Sequence, residues 1–583
     1  MGKKGKPNKK SQSQKIGSVS ASAGQTQKGG TSQAAASPSP KNPPTNFYLR
    51  VEGLNIGAVI GDTDQLSVAR GASFLLREAI HDVQSMLPDN TDVVSAGASI
   101  GECLLPGMDQ ARVDTVVSDI GNVLNNTTKP YRHLSFGVCA EGYTPSSGEI
   151  AVRERALARI RFGQMRSPTC VMPAENQDPS LDVCAWEGRR AADAAKPVRR
   201  DGEEDIHVSA SVWDRWRRGV DRKQGFYRDE ANLTPQHPAY GFGYSRDLGD
   251  LARESRAGNL NGKVAVIYAD GNRFSRIREE ICRTFKLLKD FDTTIRNRRS
   301  AYLSDLLEVM AGDDRFQMSD SDGKRRLRLE TLLWGGDELL LVVPAWCGFD
   351  VVQHLFTSFE GWQHGRLNLT HSVGLVFCRA KTPIQRSMTL ARQLADGVKD
   401  RLKAQATGRD EAQRLASQLK NRFDYMALES VDFPVEGDLT EFFARRYASV
   451  LSIRRDLTPD PSWVQSRTGL AVFLNQFPKA QAYRVSRAAV ASNWGSQAPD
   501  VTAYRKAIER MVAVTRGRGL DDASAVLDGV FNAAAQLKID GAEIPDPWAW
   551  IHLVELWDYL CPTLAEMAQP AAVVAAPVAG DVP

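Results

Sequence analysis

Hydrophobic and polar positions recur along the chain in two rounds of the same order. In the first round, residues 47–60 carry strand-like apolar residues, and SFLLREAIHDVQSML repeats its apolar positions at helical spacing. VVSAGASIGECLL reads as two short strands about a glycine turn, and VDTVVSDIGNVLNN as a helix. LSFGVCAEGY reads as a further strand and AVRERALARIRFGQM as a further helix. In the second round, KVAVIYAD (263–270) is an apolar strand that ends in a carboxylate, and two helical stretches cover about 273–312. RRLRLETLLW and ELLLVVP then read as a hairpin around GGDE. A helix follows over about 349–362, then the strand HSVGLVFC (371–378) and the long helix PIQRSMTLARQLADGVKDRLKAQ. Each round is a βαββαβ core with a hairpin at its middle, which predicts an α+β protein with two ferredoxin-like modules.

The rest of the chain breaks this pattern. Residues 1–45 are Lys, Ser, Gln, Gly and Pro with almost no large apolar side chain, the composition of a disordered basic tail. Residues 166–245 lack a clear period and read as a connector or insertion, packed in part by Trp213, Trp216 and Phe226. From about 437 the pattern is helical: LTEFFARRYASVLSIRR, then stretches near 463–492, 501–516, 521–537 and 548–566. The expected domains are therefore 1–45 (tail), 46–165 (first module), 166–245 (connector), 246–430 (second module), 431–570 (helical) and 571–583 (frayed tail).

Composition narrows the function classes. A chain of 583 residues, 42% hydrophobic and 25% charged, has the profile of a globular protein of about three to four domains. No run of about 18 apolar residues marks a membrane span, so no membrane role is expected. The start, MGKKGKPNKK, has no apolar core of a secretory signal, and Lys6 stands where a myristoylation signal needs Ser or Thr. Eight cysteines with no CxxC pair read as reduced, packing cysteines of a cytoplasmic protein. The net charge of +4 hides an imbalance: the tail holds eight Lys and no Asp, Glu or Arg, and without it the balance turns to about −4. The body is thus no strongly basic nucleic-acid binder. The tail itself either touches RNA, DNA or an acidic surface, or serves only to keep the chain solvated.

The stretch WGGDELLLVVP (334–344) sets the chemical question. LLLVVP is a buried strand, yet two glycines and two carboxylates stand at its entrance, where an unpaired buried charge is costly. Asp270 ends a strand 67 residues earlier, and in a βαββ sheet that strand end lies beside the tip of the central hairpin. Three carboxylates, Asp270, Asp337 and Glu338, are therefore expected to converge and to repel. A divalent ion resolves such a cluster, because Mg²⁺ takes hard oxygen ligands from one or two carboxylates plus substrate phosphates. Two ions about 3.5–4 Å apart would serve phosphoryl or nucleotidyl transfer. Gly335 and Gly336 would then allow a tight turn and leave room for a base or phosphate. The backbone N–H groups of Gly271, Asn272 and Arg273 would receive phosphate oxygens, with Phe274 packed under the loop.

GGDE on a hairpin behind an Asp-ending strand, with the DGNRF spacing, resembles the palm domain of GGDEF-type nucleotidyl cyclases. The fuller resemblance is to the large palm-domain subunit of type III CRISPR effector complexes, which carries two palm modules and helical domains. GKVAVIYADGNRFSRI, LETLLWGGDELLLVVPA and HSVGLVFCRAKTPIQRSMTLARQLADGVKDRLK resemble that family's second palm, which makes cyclic oligoadenylate from ATP. IGAVIGDTDQLSVARGASFLLREAI resembles its first palm, with Arg70 and Ser73 opening a helix. The resemblance implies Asp270, Gly271, Asp337 and Glu338 as a site for two Mg²⁺ or Mn²⁺ ions. It implies Lys399 as a contact to the triphosphate, Lys403 as its assistant one turn on, and Ser275 near the base.

The departures from the family shape the expectations. Its larger members begin with an HD nuclease domain, and nothing comparable is read before Phe47; the His81–Asp82 dipeptide falls inside a palm helix without further ligands. A zinc ribbon often separates the two palms, whereas here Cys170 and Cys184 stand alone, so no zinc is expected. SAGASIG replaces the acidic tip in the first module, which is therefore read as degenerate. There, Asp62 and Asp64 either contact a second nucleotide or are solvated turn residues. GLNIGAVIG and GNLNGKV mimic phosphate loops without completing them, and the basic run RNRR (296–299) is either a solvated face or an RNA-facing patch. The function implied is a metal-dependent nucleotidyltransferase making a cyclic or linear oligonucleotide messenger from ATP in antiviral defence. Its partners would be RNA or other effector-complex subunits and a downstream nucleotide-sensing effector. Two alternatives stand beside it: a weakly catalytic palm scaffold that binds RNA or nucleotide, and a GGDEF-like mono- or dinucleotide cyclase. No Arg-x-x-Asp pattern precedes Gly335, since Leu, Glu and Thr follow Arg328, which weakens a diguanylate version.

Overall fold

In the computed structural model the described residues run from 45 to 560 with interruptions, the longest at 167–181, 448–473 and 516–536. The readings of both terminal tails, of Cys170, of the helical residues 448–473 and of the helical stretch 521–537, apart from Leu537, lie outside them. The first module is β1 (Asn46–Leu54), α1 (Ile56–Ile60), α2 (Leu66–Met86), β2 (Asp92–Ala96), β3 (Ile100–Pro106), α3 (Gln110–Leu124), β4 (Ser135–Tyr143) and α4 (Glu149–Arg166). Its sheet runs β2-β3-β1-β4 and is antiparallel throughout. This is the expected ferredoxin-like order. Alternate residues of β1 and one face of α2 (Val68, Ala72, Leu75, Ala79, Val83) build its core.

The connector is less irregular than its sequence suggests. It holds β5 (Pro197–Val198), β6 (Ile206–His207), α5 (Ala210–Asp221), α6 (Lys223–Glu230) and β7 (Gly243–Tyr244), and α7 (Leu248–Ala252) follows it. Ser209 caps α5 by accepting from the Val212 N–H at 3.3 Å. The helical period is hidden because charged residues occupy the inward faces: Arg215, Lys223 and Glu230 are all buried. Trp213 and Trp216 pack on a small apolar cluster that contains Cys184. Phe226 stacks on Phe74 of the first module at 4.9 Å.

The second module begins with β8 (Lys263–Gly271), α8 (Phe274–Glu280) and α9 (Phe285–Gly312). The stretch read as RRLRLETLLW splits. β9 (Gln317–Ser319) and β10 (Arg325–Leu327) join β7 in a small separate sheet, and β11 (Glu330–Gly335) alone pairs with β12 (Glu338–Pro344). The break falls at Arg328, whose buried guanidinium donates to the carbonyls of Asp250, Leu251 and Arg253 at 2.9–3.1 Å. There follow α10 (Gly348–Phe359), β13 (Gln363–His364), β14 (Leu367–Asn368), β15 (His371–Arg379), α11 (Ile384–Ala404), α12 (Glu411–Gln418) and β16 (Arg422–Ala427). The main sheet is β11-β12-β8-β15-β16, the ferredoxin-like order with a fifth strand parallel to β15. β8 sits at its centre and is buried on both faces, which is why it reads as an unbroken apolar run. α11 crosses β15 so closely that a Cβ on Gly374 would meet the Ala391 carbonyl oxygen at 1.8 Å. That close crossing carries the second half of α11 toward the end of β8.

The described part of the C-terminal region holds α13 (Leu439–Tyr447), α14 (Lys479–Ala491), α15 (Thr502–Thr515) and α16 (Pro547–Leu556). It also holds the short hairpin β17 (Leu537–Ile539) and β18 (Ala542–Ile544), where no strand was expected. Among the described residues no helix is long and apolar enough to cross a membrane.

Buried charge joins the modules. Glu330 at the start of β11 is paired with Arg70 of α2 and, at 2.5 Å, with Lys223 of α6. Burial disfavours its charge, but Arg70 and Lys223 hold it below the usual carboxylate range. Burial pushes Lys223 down to about 8, against the pull of Glu330. Glu102 of β3 accepts from Tyr48 at 2.6 Å, Arg50 at 2.7 Å and Arg278 of α8 at 2.9 Å. Substituting Glu330→Gln leaves two buried cations without their counter-charge. We expect it to cost about 3–5 kcal/mol, read as a fall in the midpoint of urea unfolding at unchanged slope.

Candidate active site at the acidic hairpin tip

β12 lies on β8 in the register that sets Glu338 opposite Asp270. The hairpin reverses between Gly335 and Glu338, with Gly336 in the left-handed region at φ +54°. The Gly271 N–H donates to the Asp337 carbonyl at 3.2 Å, tying the tip to the end of β8. Asp270, Asp337 and Glu338 thus stand within electrostatic reach of one another, as the sequence predicts. Burial, then the Asp270 carboxylate, pushes Asp337 up to about 7. The same two causes, in the same order, raise Glu338.

Lys399 reaches this cluster from α11 and pairs with Asp270. Tyr268, two residues back on the same face of β8, donates to Asp270 at 3.4 Å, and the Arg392 guanidinium lies 5.1 Å above its ring. Asp396 is raised by burial, against Lys399, with Asp270 adding to the rise. Tyr268, Arg392 and Asp396 were not singled out in the sequence. The signal for two of them was present, because 392, 396, 399 and 403 form one stripe at helical spacing. Lys403 is not part of the site: it is exposed and pairs with Asp400 at 2.7 Å.

Several expected nucleotide contacts are committed elsewhere. The Gly271 N–H is taken by Asp337, and the Asn272 N–H donates to the Thr370 carbonyl at 2.7 Å. The buried Asn272 side chain donates to Thr370 and to the Lys420 carbonyl and accepts from Ser372. Arg273 takes a left-handed backbone, φ 61°, and donates to Gln418 at 2.5 Å. Two of the three expected backbone donors, those of Gly271 and Asn272, are therefore already committed within the protein, and the Arg273 side chain braces the same loop. Phe274 does pack under the loop, in edge contact with Phe291 and His371, and a Cβ on Gly271 would strike its ring at 2.6 Å. Ser275 is exposed at the start of α8.

The two glycines of the tip differ in role. A Cβ on Gly335 would meet the Cβ of Ala98 at 2.8 Å, and Ala98 sits in the tip of the first module's own central hairpin. Gly335 therefore makes room for the other palm, where the sequence suggested room for a ligand. Gly336 faces open space. Two of the first-module candidates, Asp62 and Arg70, are held in structural pairs. Asp62 forms a two-pronged pair with Arg215 at 2.7 and 2.8 Å, and Arg70 is buried against Glu330 and donates to the Gly219 carbonyl at 2.8 Å. Ser73 is half-buried and Asp64 exposed. Within the decoy dipeptide, Asp82 accepts from Lys129 and Tyr131.

Among the described residues no three His, Cys, Asp or Glu side chains stand close enough to grip one ion. The donors are nevertheless hard oxygens in an undercompensated, desolvated cluster, and Mg²⁺ commonly needs only one or two carboxylates. Asp270 and Asp337, with Glu338 beside them, fit such an ion. The sign of the pH effect follows from the raised Asp337. In metal-free buffer the folded chain keeps the Asp337 proton up to about pH 7, whereas the unfolded chain loses it near pH 4. The folded state binds more protons across that window, so this group makes stability fall as pH rises through it. Asp337→Asn should match the parent near pH 4 and exceed its Tm by ~2–4 °C at pH 8. Mn²⁺ should raise the parent's Tm at pH 8 and the variant's far less; equal responses would remove Asp337 from the metal site.

Residues 263–412 match the family model of the Cas10/Cmr2 second palm domain. No curated protein sequence matches the chain. Among solved structures, the chain is similar to Csm1 in T. onnurineus at 14% identity and TM-score 0.48, covering 89% of this chain and 69% of that one. It is similar to the apo Csm1–Csm4 cassette at 15% and 0.46, covering 88% and 70%. It is similar to the cassette in complex with AMPPNP at 15% and 0.39, covering 64% and 56%, so it spans little more than half of that chain. Residues 263–412 are thus similar to the second palm domain of the Cas10/Cmr2 type, and the chain that carries them resembles the large palm-domain subunit of type III CRISPR effector complexes.

Proposed function

We propose that the chain is a metal-dependent nucleotidyltransferase that joins ATP, or another nucleoside triphosphate, into a cyclic or linear oligonucleotide messenger. The observation that carries this reading is the gathering of Asp270, Asp337 and Glu338, with Lys399, at one hairpin tip of a matched palm domain. A hydroxyl of one nucleotide attacks the α-phosphate of the next. The new O–P bond forms as the bond to the bridging oxygen breaks; pyrophosphate departs and the hydroxyl proton passes to solvent. Lys399 is poised to leave Asp270 for the triphosphate, trading one anion for another. Bound divalent ions would supply charge stabilisation for the attacking and leaving oxygens. The setting we propose is cytoplasmic antiviral defence, with RNA or effector-complex subunits as partners and a nucleotide-sensing effector downstream.

One observation favours a second reading, a palm that binds nucleotide or RNA with little turnover. The Gly271 and Asn272 N–H groups are committed within the protein, and Lys399 already neutralises Asp270. The two readings part in one experiment. The purified chain is incubated with each nucleoside triphosphate and Mg²⁺ or Mn²⁺, with and without RNA, and products are resolved by mass spectrometry. The transferase reading expects oligonucleotide and pyrophosphate, reduced at least a hundredfold in Asp337→Ala. Pyrophosphate release that survives that change sinks the assigned site. Nucleotide binding without product under every condition favours the scaffold. A mono- or dinucleotide product would move the chain to the GGDEF-like cyclase chemistry.

A further inference from the structure

The basic run RNRR reads from sequence as a solvated or RNA-facing patch, and three of its four residues are exposed on α9. Arg299 is not. Its side chain is 12% exposed and turned toward the acidic hairpin. Its Nη1 donates to the Gly336 carbonyl at 3.2 Å, its guanidinium lies 5.7 Å over the Trp334 ring, and its Nη2 is 3.8 Å from Glu230. Glu230 ends α6 in the connector. It accepts from the Trp334 indole at 2.8 Å and is paired with Arg77 of the first palm's α2. One buried carboxylate therefore gathers the connector, the first palm, and both Trp334 and Arg299 beside the tip.

Burying a guanidinium is costly, and the Arg299 Nε finds no hydrogen-bond partner among the described residues. Burial holds Arg299 below its ordinary pKa, with Glu230 opposing. An apolar side chain would fill this place without that cost. What an arginine adds is a directional donor to the turn. Gly336 has no side chain to steady it, yet it must fix the backbone that presents Asp337. Two consecutive carbonyls are pinned: Gly336 by Arg299 and Asp337 by the Gly271 N–H. Together they set the peptide planes on either side of Asp337.

We propose that Arg299, oriented by Glu230, is a positioning residue that locks the Gly335–Gly336 turn so that Asp337 meets a divalent cation. The inference rests on the reading of the tip as a metal–nucleotide site. It also ties the posture of the tip to the first palm through Arg77, which shares Glu230.

The test uses the full chain and four variants: Arg299→Met, Arg299→Lys, Glu230→Gln and Asp337→Ala. Mn²⁺ affinity is measured by electron paramagnetic resonance without nucleotide, and KM for Mn²⁺ and for nucleotide is measured where turnover exists. Lysine keeps a charged donor at this place, whereas methionine keeps apolar bulk and donates nothing. We expect Arg299→Met to weaken Mn²⁺ binding at least tenfold, Arg299→Lys less than threefold, and Glu230→Gln by an intermediate factor. The KM for nucleotide should move less than that for Mn²⁺. Parent-like Mn²⁺ affinity in Arg299→Met, or equal losses in the Met and Lys variants, overturns the proposal. Should Arg299→Met fail to fold, unchanged affinity in Glu230→Gln overturns it instead. Asp337→Ala separates the two layers: if it keeps parent affinity the metal reading itself falls, and if it alone loses affinity only the positioning role falls.

Discussion

Glu338 stands opposite Asp270 on the β12–β8 ladder, so two carboxylates face one another where the sheet opens toward solvent. That register has little freedom. β8 is buried on both faces and β12 is buried from Leu339 to Pro344, and a slip of one residue would turn every side chain of β12 to the other face. The core therefore chooses the spacing of the acids. Their repulsion is paid by strand burial, and it leaves a site that gains from any cation able to enter. Lys399 supplies one positive charge from α11, and the crossing that brings it there depends on the missing side chain of Gly374.

Buried charge, as much as apolar contact, holds the two palms and the connector in one arrangement. Glu102, Glu330 and the Asp62–Arg215 pair each join segments far apart in sequence. A buried ion pair adds little net stability over a well-packed apolar contact, but it fixes direction, because a displaced partner leaves a desolvated charge. An interface that must hold the acidic turn in register gains from that intolerance. Stacking of Tyr48 on Phe285 at 5.3 Å adds apolar area to the same seam.

The two ferredoxin-like sheets were legible because their strands and helices bury apolar residues at clean periods, and the central hairpins were legible from their glycines. The acids of the tip were legible because strand order alone brings Asp270 to the hairpin. The connector helices were not, since Arg215, Lys223 and Glu230 put charge where the period calls for apolar residues. Arg299 was hidden for a related reason: the three arginines of a run such as RNRR look alike in sequence whichever of them turns inward. The backbone N–H groups of Gly271 and Asn272 illustrate another limit. Their loop has the composition of a phosphate cradle, and only the partners Asp337 and Thr370 reveal that both donors are already committed.

The contact between the two hairpin tips gives the first palm's acid-free sequence a physical sense. Ala98 presses on Gly335 at a distance that excludes any larger residue on the Gly335 side without movement of one tip. An acid on the first tip would add a fourth carboxylate to a cluster that already holds Asp337 up near 7. A small neutral residue there closes one flank of the acidic turn and adds no charge. The opposite flank is held by Arg299 and Trp334, and Gly336 alone is left facing open space. The tip is thus walled by the first palm, braced by the connector through Glu230, and open where α11 brings Lys399. The first module is a structural half of the same tip, and its acid-free hairpin is part of what keeps the acids there few enough to be held.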